Sequence, residues 1–169
     1  MRYIVMMMDP SSALAALFDA PVRAGRVTWI GLRPARRALM RPVDEAMAVR
    51  GQGLHGDRYK TSTGGGRQVT LIEAESLAAI ASYLGLPAAK PEDLRRNVVV
   101  SGINLLALKG KSFRLGAALL EWSGECHPCS RMEETFGPGG YNAVRGKGGI
   151  TARVLESGIV KRGDAVANA

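Results

Sequence analysis

Ala117-Ala118-Leu119-Leu120-Glu121-Trp122-Ser123-Gly124-Glu125-Cys126-His127-Pro128-Cys129-Ser130-Arg131-Met132-Glu133-Glu134-Thr135-Phe136 changes character twice along its length. Its first six residues are an apolar run that predicts a strand, and Ser123-Gly124 breaks the run as glycine commonly does at strand ends. From Ser130 onward the residue types favour a helix. Cys129 or Ser130 stands near the N-cap, Glu133 and Glu134 fall in the first turn, and Gly137-Pro138 forms the stop. Both cysteines of the chain and one of its two histidines therefore lie on a turn between a strand and a helix. A thiol near a helix N-terminus and beside the Arg131 guanidinium meets positive potential, which favours the thiolate that attacks electrophiles and ligates soft metals. Pro128 stiffens the loop that aims Cys129. The two cysteines also read as small buried hydrophobes, or as a thioredoxin-like redox pair, although no βαβ pattern surrounds them. Zinc would need four ligands, and only His127 and the distant His55 are at hand to complete a set, which argues against it.

Outward from this turn, short strand-like runs separated by glycines dominate. Residues 11–20 predict a short helix with Leu14, Leu17 and Phe18 on one face, ended by Pro21, and Gly25 to Leu32 predicts a strand rich in β-branched and aromatic residues. Arg33-Pro34-Ala35-Arg36-Arg37 reads as a turn whose arginines are solvated, and Val43 to Arg50 as a weakly patterned strand. Gly51 to Tyr59 surrounds His55, Asp57 and Arg58 with glycines, a loop whose backbone can approach a ligand closely. Thr61 to Gly66 is a polar, flexible loop without the Gly-Lys-Ser/Thr ending of a phosphate-binding Walker loop. Arg67 to Ile72 predicts a strand, and Glu73 to Leu84 a helix with Leu77, Ile80, Ala81 and Leu84 on its apolar face. Pro91 to Asn97 reads as a turn with paired arginines, then Val98-Val99-Val100 as a buried strand. Asn104-Leu105-Leu106 and Lys111 to Gly116 predict further strands, Gly139 to Gly149 a mobile basic loop, and Ile150 to Leu155, Ile159-Val160 and Asp164 to Val166 the last strands. So many short strands, with only three helices, predict a mainly β fold: a closed β-barrel.

At 169 residues the chain reads as one domain with room for a real core. Its 23 basic against 15 acidic residues give a net charge of +8, which suits an anionic partner. A nucleic-acid surface would interleave basic residues with exposed aromatics, yet the chain has two Trp, four Tyr and three Phe, and its arginines are scattered over many short motifs. That pattern favours a local anion site. The apolar run Ile4 to Met8, ended by Asp9, is too short for a secretory core or a bilayer span, so a cytoplasmic location with no membrane partner is expected. Paired arginines make Arg95 and Arg96 the foremost anion candidates, although they read equally as surface charge.

Six motifs come in one order: Gly56-Asp57; Arg67 to Leu71; Arg95-Arg96-Asn97 through Ile103; Phe113 to Gly116; Cys126-His127-Pro128-Cys129-Ser130-Arg131; and Gly149 to Leu155 with Gly163-Asp164. In this order they resemble a stand-alone MOSC domain, the module named for the C-terminal part of molybdenum cofactor sulfurases. The resemblance covers residues 22 to 166, with residues 1–21 expected as a helical extension packed on the barrel and 22–169 as the domain. It implies a barrel like the β domain of pyruvate kinase and a role with molybdenum or sulfur. Cys129 carries over as the family's cysteine, either ligating the metal of a molybdenum-pterin cofactor or carrying persulfide sulfur, with Cys126 as a resolving partner. Related bacterial proteins and the mitochondrial amidoxime-reducing component reduce N-hydroxylated compounds, which makes such a reductase the alternative reading. Those larger reductases show Cys-Ser-Arg-Cys where this chain has Met132 in the last position. A third reading is a non-catalytic basic module docking on protein or RNA. For the cofactor phosphate and pterin the resemblance points to Arg67, Arg95, Arg96, Asn97, Arg131, Arg145 and Lys147, with His55 and Asp57. It also implies a sulfur donor protein or a redox partner. No pyridoxal phosphate is expected, because the chain lacks a recognisable Schiff-base lysine context.

Overall fold

The structure, a computed structural model, describes Asp9, residues 11–59 and residues 65–169. The apolar N-terminal run and Thr61 to Gly64 of the polar loop lie outside the described residues. In chain order the elements are α1 (Ala13–Phe18), β1 (Gly25–Leu32), β2 (Arg41–Val43), β3 (Glu45–Val49), β4 (Gly53–Leu54), β5 (Val69–Glu73), α2 (Ala74–Leu84), α3 (Pro91–Leu94) and β6 (Val98–Ser101). A 3-10 turn (Leu105–Leu108), β7 (Ser112–Leu115), β8 (Ala118–Glu125), α4 (Arg131–Phe136), α5 (Gly140–Val144), β9 (Ile150–Glu156), β10 (Gly158–Lys161) and β11 (Ala165–Asn168) follow.

Seven strands close into a barrel in the order β11-β7-β8-β9-β5-β6-β1, the seam being the pairing of Gly25 with Val166 and Arg26 with Ala165. Closure removes the free strand edges that would otherwise invite pairing with another chain. The one parallel pair is β5–β6, with Leu71 opposite Val98. A parallel pair demands a crossover, and α2 with α3 supplies it. Val69 and Leu71 of β5, Val98 and Val100 of β6, and Phe113, Leu115, Leu120, Ile150 and Val154 fill the interior. Alternate residues of the same two strands, Ile72 and Val99, point outward beneath α2, where Leu77, Ile80 and Ala81 cover them. Met132 of α4 and Ala143 and Val144 of α5 join that outer cluster. The helix after the cysteine turn is thus pinned to the barrel by one buried methionine. A small side sheet, β10-β3-β4, flanks the barrel. Among the described residues no helix is long and apolar enough to cross a membrane.

The mainly β, closed-barrel architecture agrees with the sequence reading, and several local elements differ. Asn104-Leu105-Leu106 is not a strand. The Asn104 side chain accepts from the Leu106 N–H at 3.1 Å, and Leu105 and Leu108, three apart, are both fully buried, which a 3-10 turn achieves and a strand does not. Pro91 opens α3 because its missing N–H is not needed in a first turn, and the Asp93 carboxylate accepts the Lys90 N–H at 3.2 Å. The glycine-rich run after Pro138 contains α5, whose start is fixed by the Glu133 carboxylate accepting from the Gly139 and Tyr141 N–H groups at 3.0 and 2.7 Å. Helices α3 and α5 are thus additional to the three expected from the sequence.

Gly148 and Gly149 set how closely the cysteine turn lies on the barrel. The Gly149 carbonyl accepts the Cys126 N–H at 2.8 Å. A Cβ at Gly148 would meet the Cys126 carbonyl oxygen, and one at Gly149, where φ is +80°, would meet the Leu71 carbonyl oxygen. Gly146 has a similar φ of +74° but open space around it. Gly149→Ala is therefore expected to lower stability by about 3 kcal/mol, against about 1 kcal/mol for Gly146→Ala, which pays the left-handed conformation alone. Urea unfolding of the two variants checks this; equal losses would mean that close approach plays no part.

Candidate functional site

Strand β8 delivers Cys126 to the barrel rim, and the following turn separates the environments of the two thiols. Cys126 is buried at 2% exposure, and its Sγ accepts from Arg67 Nη2 at 3.7 Å. Cys129 is exposed, and both thiols are free. The Cys129 carbonyl accepts the Met132 N–H at 2.9 Å, so the helical turn begins at the cysteine itself. Helix α4 spans only six residues, and Ser130 makes no side-chain cap. So short a helix carries a small dipole, and the positive potential at Cys129 must come from side chains.

Those side chains rest on a buried polar network behind the turn. Asp57, its side chain 1% exposed, pairs with Arg33 at 2.7 Å through Nη2 and at 3.0 Å through Nε. It also accepts the Arg33 N–H at 2.6 Å and the Tyr59 N–H at 3.2 Å. Asn97, fully buried at the entry to β6, accepts with its Oδ1 from Arg33 Nη2 (3.0 Å), Thr70 N–H (3.2 Å) and Thr70 Oγ1 (2.9 Å). Its Nδ2 donates to the Gly31 carbonyl and to Asp57 Oδ1, each at 3.1 Å. Burial alone pushes the Asp57 carboxyl upward and is the largest single influence. The Arg33 hydrogen bonds and charge, with the Arg33 and Tyr59 N–H groups, together outweigh it and hold Asp57 below the ordinary carboxylate range.

In front of this network lies a cavity of about 470 Å³ bordered by Cys129, His127, Met132 and six arginines: Arg33, Arg58, Arg67, Arg95, Arg96 and Arg131. Arg96 is buried. Its Nε donates to the Gly148 carbonyl at 2.8 Å and its Nη1 to the Leu94 carbonyl at 2.5 Å, which fixes the guanidinium plane. Burial, opposed by the Cys126 sulfur and reinforced by the charges of Arg67 and Arg33, holds Arg96 below the usual guanidinium range. Arg95 lies in the left-handed region at φ +56° and donates to the Ala38 and Ala35 carbonyls at 2.5 and 3.2 Å. Burial, then the nearby positive charges of Arg131, Arg33 and Arg58, lower it too, with Asp57 opposing. These cations repel one another, and an anion between them relieves the repulsion.

Of the residues singled out in the sequence, Cys129, Arg67, Arg95, Arg96 and Arg131 meet at this cavity. Asp57 and Asn97 stand behind it as its support. His55 lines a neighbouring cleft of about 640 Å³, and Lys147 lines a third space of about 490 Å³ with Cys126 and His127. Arg145 is exposed and borders none of the three. Sequence reading missed Arg33, which looked like one of three solvated arginines. Its signal lay elsewhere: a buried Asp57 and Asn97 need a cation partner.

Breaking a buried ion pair from one side leaves the other charge stranded. Asp57→Asn is therefore expected to cost about 3 kcal/mol at neutral pH. Because the folded carboxyl lies below its unfolded value of about 3.9, the stabilisation is complete above that pH and fades as pH falls through the lower folded value. Unfolding curves of wild type and Asp57→Asn should stay separated from pH 7 down to about pH 4 and converge below it. A gap that closed well above pH 4 would contradict this assignment.

The search of curated proteins finds no match to the chain. Among solved structures, the YuaD protein from Bacillus subtilis superposes with a TM-score of 0.75 at 22% identity, over 86% of this chain and 95% of that one. YiiM from Geobacillus stearothermophilus gives 0.67 at 16% identity, over 86% and 75% of the two chains. YiiM from Escherichia coli gives 0.66 at 21% identity, over 85% and 69%. Likeness at such identities speaks for the fold alone. The MOSC domain profile matches residues 58–167, a span that includes Arg58, Arg67, Arg95, Arg96, Arg131 and both cysteines. The chain belongs to the MOSC domain family, which is linked to molybdenum-cofactor-related binding.

Proposed function

We propose that the chain binds a phosphorylated, molybdenum-carrying pterin through the Cys129 thiol, or carries the sulfur destined for that cofactor on the same thiol. One observation carries the reading: six arginines border the cavity that Cys129 also borders. A persulfide on Cys129 would bring a single negative charge, whereas a phosphate ester brings close to two and three acceptor oxygens. The cofactor therefore fits this density of cations better than sulfur alone.

The donor set suits such a group. Guanidinium forks match phosphate oxygens two at a time, and Arg96 is already immobilised by carbonyls on both sides, so little side-chain entropy is lost on binding. Cys129 offers a soft sulfur at the open edge of the cavity. Among the described residues no group of three or more His, Cys, Asp or Glu could hold a bare metal ion, so a metal here would have to arrive on a ligand of its own. When bound, the cofactor would supply redox chemistry at its metal. The chain's own residues would hold its phosphate, neutralise its charge, and present one thiol.

Protein purified without oxygen from a host that makes the cofactor is expected to contain molybdenum at about one per chain and to lose it in Cys129→Ala. Elemental mass spectrometry reads both. Molybdenum retained in Cys129→Ala would remove the thiol from the binding site. Molybdenum absent from both proteins, with the host's other molybdenum proteins loaded, would turn the reading to sulfur carriage, visible as one added sulfur on Cys129 by intact mass.

A further inference from the structure

The two thiols of the chain differ most in access. Cys129 is exposed, so a small oxidant meets its sulfur directly from solvent, whereas Cys126, at 2% exposure, is closed to it. Only His127 and Pro128 stand between them. A group that reacts at Cys129 therefore has the second thiol close by, at a high effective concentration.

The same cations serve both sulfurs. Arg67 donates from Nη2 to Cys126 Sγ at 3.7 Å and also borders the cavity that Cys129 borders. Both sulfurs act electrostatically on the buried Arg96, each favouring its protonated form. Guanidiniums so placed stabilise negative charge on sulfur and on the oxygen that departs from a peroxide. The turn itself is anchored at its ends and free between them. The Cys126 N–H donates to the Gly149 carbonyl at 2.8 Å, and the Cys129 carbonyl accepts the Met132 N–H at 2.9 Å. Among the described residues, the N–H groups of His127 and Cys129 donate to no backbone carbonyl. Rotation there breaks no backbone hydrogen bond, so the turn can adopt the Cα separation of roughly 4.4–6.8 Å that a disulfide requires.

We infer that Cys129 and Cys126 are a two-thiol oxidation site whose co-reactant is a hydroperoxide. The Cys129 thiolate attacks one peroxide oxygen. The O–O bond breaks, an S–O bond forms, and the departing oxygen takes a proton from solvent and leaves as water or an alcohol. The Cys126 sulfur then attacks the Cys129 sulfenic acid. The S–O bond breaks, an S–S bond forms, and the hydroxyl leaves with the Cys126 proton as water. The two sulfurs together give up two electrons, and the peroxide takes both. Arg67 loses its sulfur acceptor, and the thiol at the cavity is withdrawn until an external dithiol reduces the bond. None of this needs a pterin or a metal, so the site stands apart from the cofactor reading.

The full chain, made in a host unable to build the molybdenum cofactor and reduced beforehand, is treated at neutral pH with one equivalent of hydrogen peroxide and then with N-ethylmaleimide in urea. Intact mass is expected to show a protein lighter by the two hydrogens of one disulfide and free of maleimide, with dithiothreitol restoring both alkylatable thiols. Cys126→Ser is expected to stop at a Cys129 sulfenic acid that dimedone captures. Cys129→Ser is expected to consume peroxide about tenfold more slowly than wild type, because its remaining thiol is buried. Two maleimides on the peroxide-treated wild type, a sulfinic acid on Cys129 without a disulfide, or a disulfide between two chains would overturn the pairing. Equal peroxide consumption by Cys129→Ser and wild type would overturn it too. The wild-type mass decides even if a serine variant fails to fold.

Discussion

The buried Asp57–Arg33 pair, with Asn97 closing it, is the constraint on which the rest of the site depends. A carboxylate with 1% exposure is tolerable only if its charge is met and its lone pairs are filled, and here Arg33 and two backbone N–H groups do both. Asn97 then uses both ends of its amide, accepting from Arg33 and Thr70 and donating to Gly31 and Asp57. These contacts tie the end of β1, the start of β5, the entry to β6 and the β4 loop at one point. The Asn97 carbonyl also accepts the Gly31 N–H at 2.7 Å, extending the β1–β6 pairing past the last strand residue. A network that is fully satisfied in this way specifies one arrangement, because any shift of one member strands the others.

From that point the electrostatics of the site follow. Burial first, and the neighbouring guanidiniums after it, lower the affinity of Arg95 and Arg96 for their protons. The chain holds each of these cations with neutral carbonyls: Leu94 and Gly148 for Arg96, Ala35 and Ala38 for Arg95. A carbonyl orients a cation without neutralising it. Asp57 is the exception, and it lies behind Arg33, away from the cavity. Six of the 23 basic residues of the chain border this one cavity.

How much of this was legible in the sequence depended on whether the signal was local. The strand β8 and the helix α4 follow from residue types within a few positions of each other, and the structure has both; the end of the strand expected at Ser123-Gly124 is instead a register shift between Trp122 and Gly124, and β8 continues to Glu125. The apolar face of α2 was equally local. The 3-10 turn at Leu105 was misread because three apolar residues fit a strand as well as a turn until Asn104 is seen to cap it. Helix α5 was hidden because its glycines suggest a loop, while its support comes from Glu133 on the preceding helix and from burial of Val144 against α2. Arg95-Arg96 drew notice as a pair, yet the two side chains diverge, one to the loop before β2 and one beneath the cysteine turn. Arg33 was invisible for the opposite reason. It sits among Arg36 and Arg37, which are exposed, and only Asp57, far along the chain, distinguishes it.

The two cysteines show the same division between local and distant causes. Their spacing is a local fact, and by itself it allows a redox pair, a metal site or two inert thiols. What separates them is the barrel. Gly148 and Gly149 permit a backbone approach that no Cβ would allow, so Cys126 is drawn inside, where Arg67 donates to its sulfur. Pro128 and the buried Met132 on either side of Cys129 fix the turn while leaving that residue at the surface, on the border of the arginine cavity. A sulfur that is to meet an incoming anionic ligand must be reachable, and one that is to hold an arginine in place must not be exchanged with solvent. The fold leaves Cys129 reachable and sets Cys126 against Arg67 out of reach of solvent, and it does so through glycines that carry no chemistry themselves.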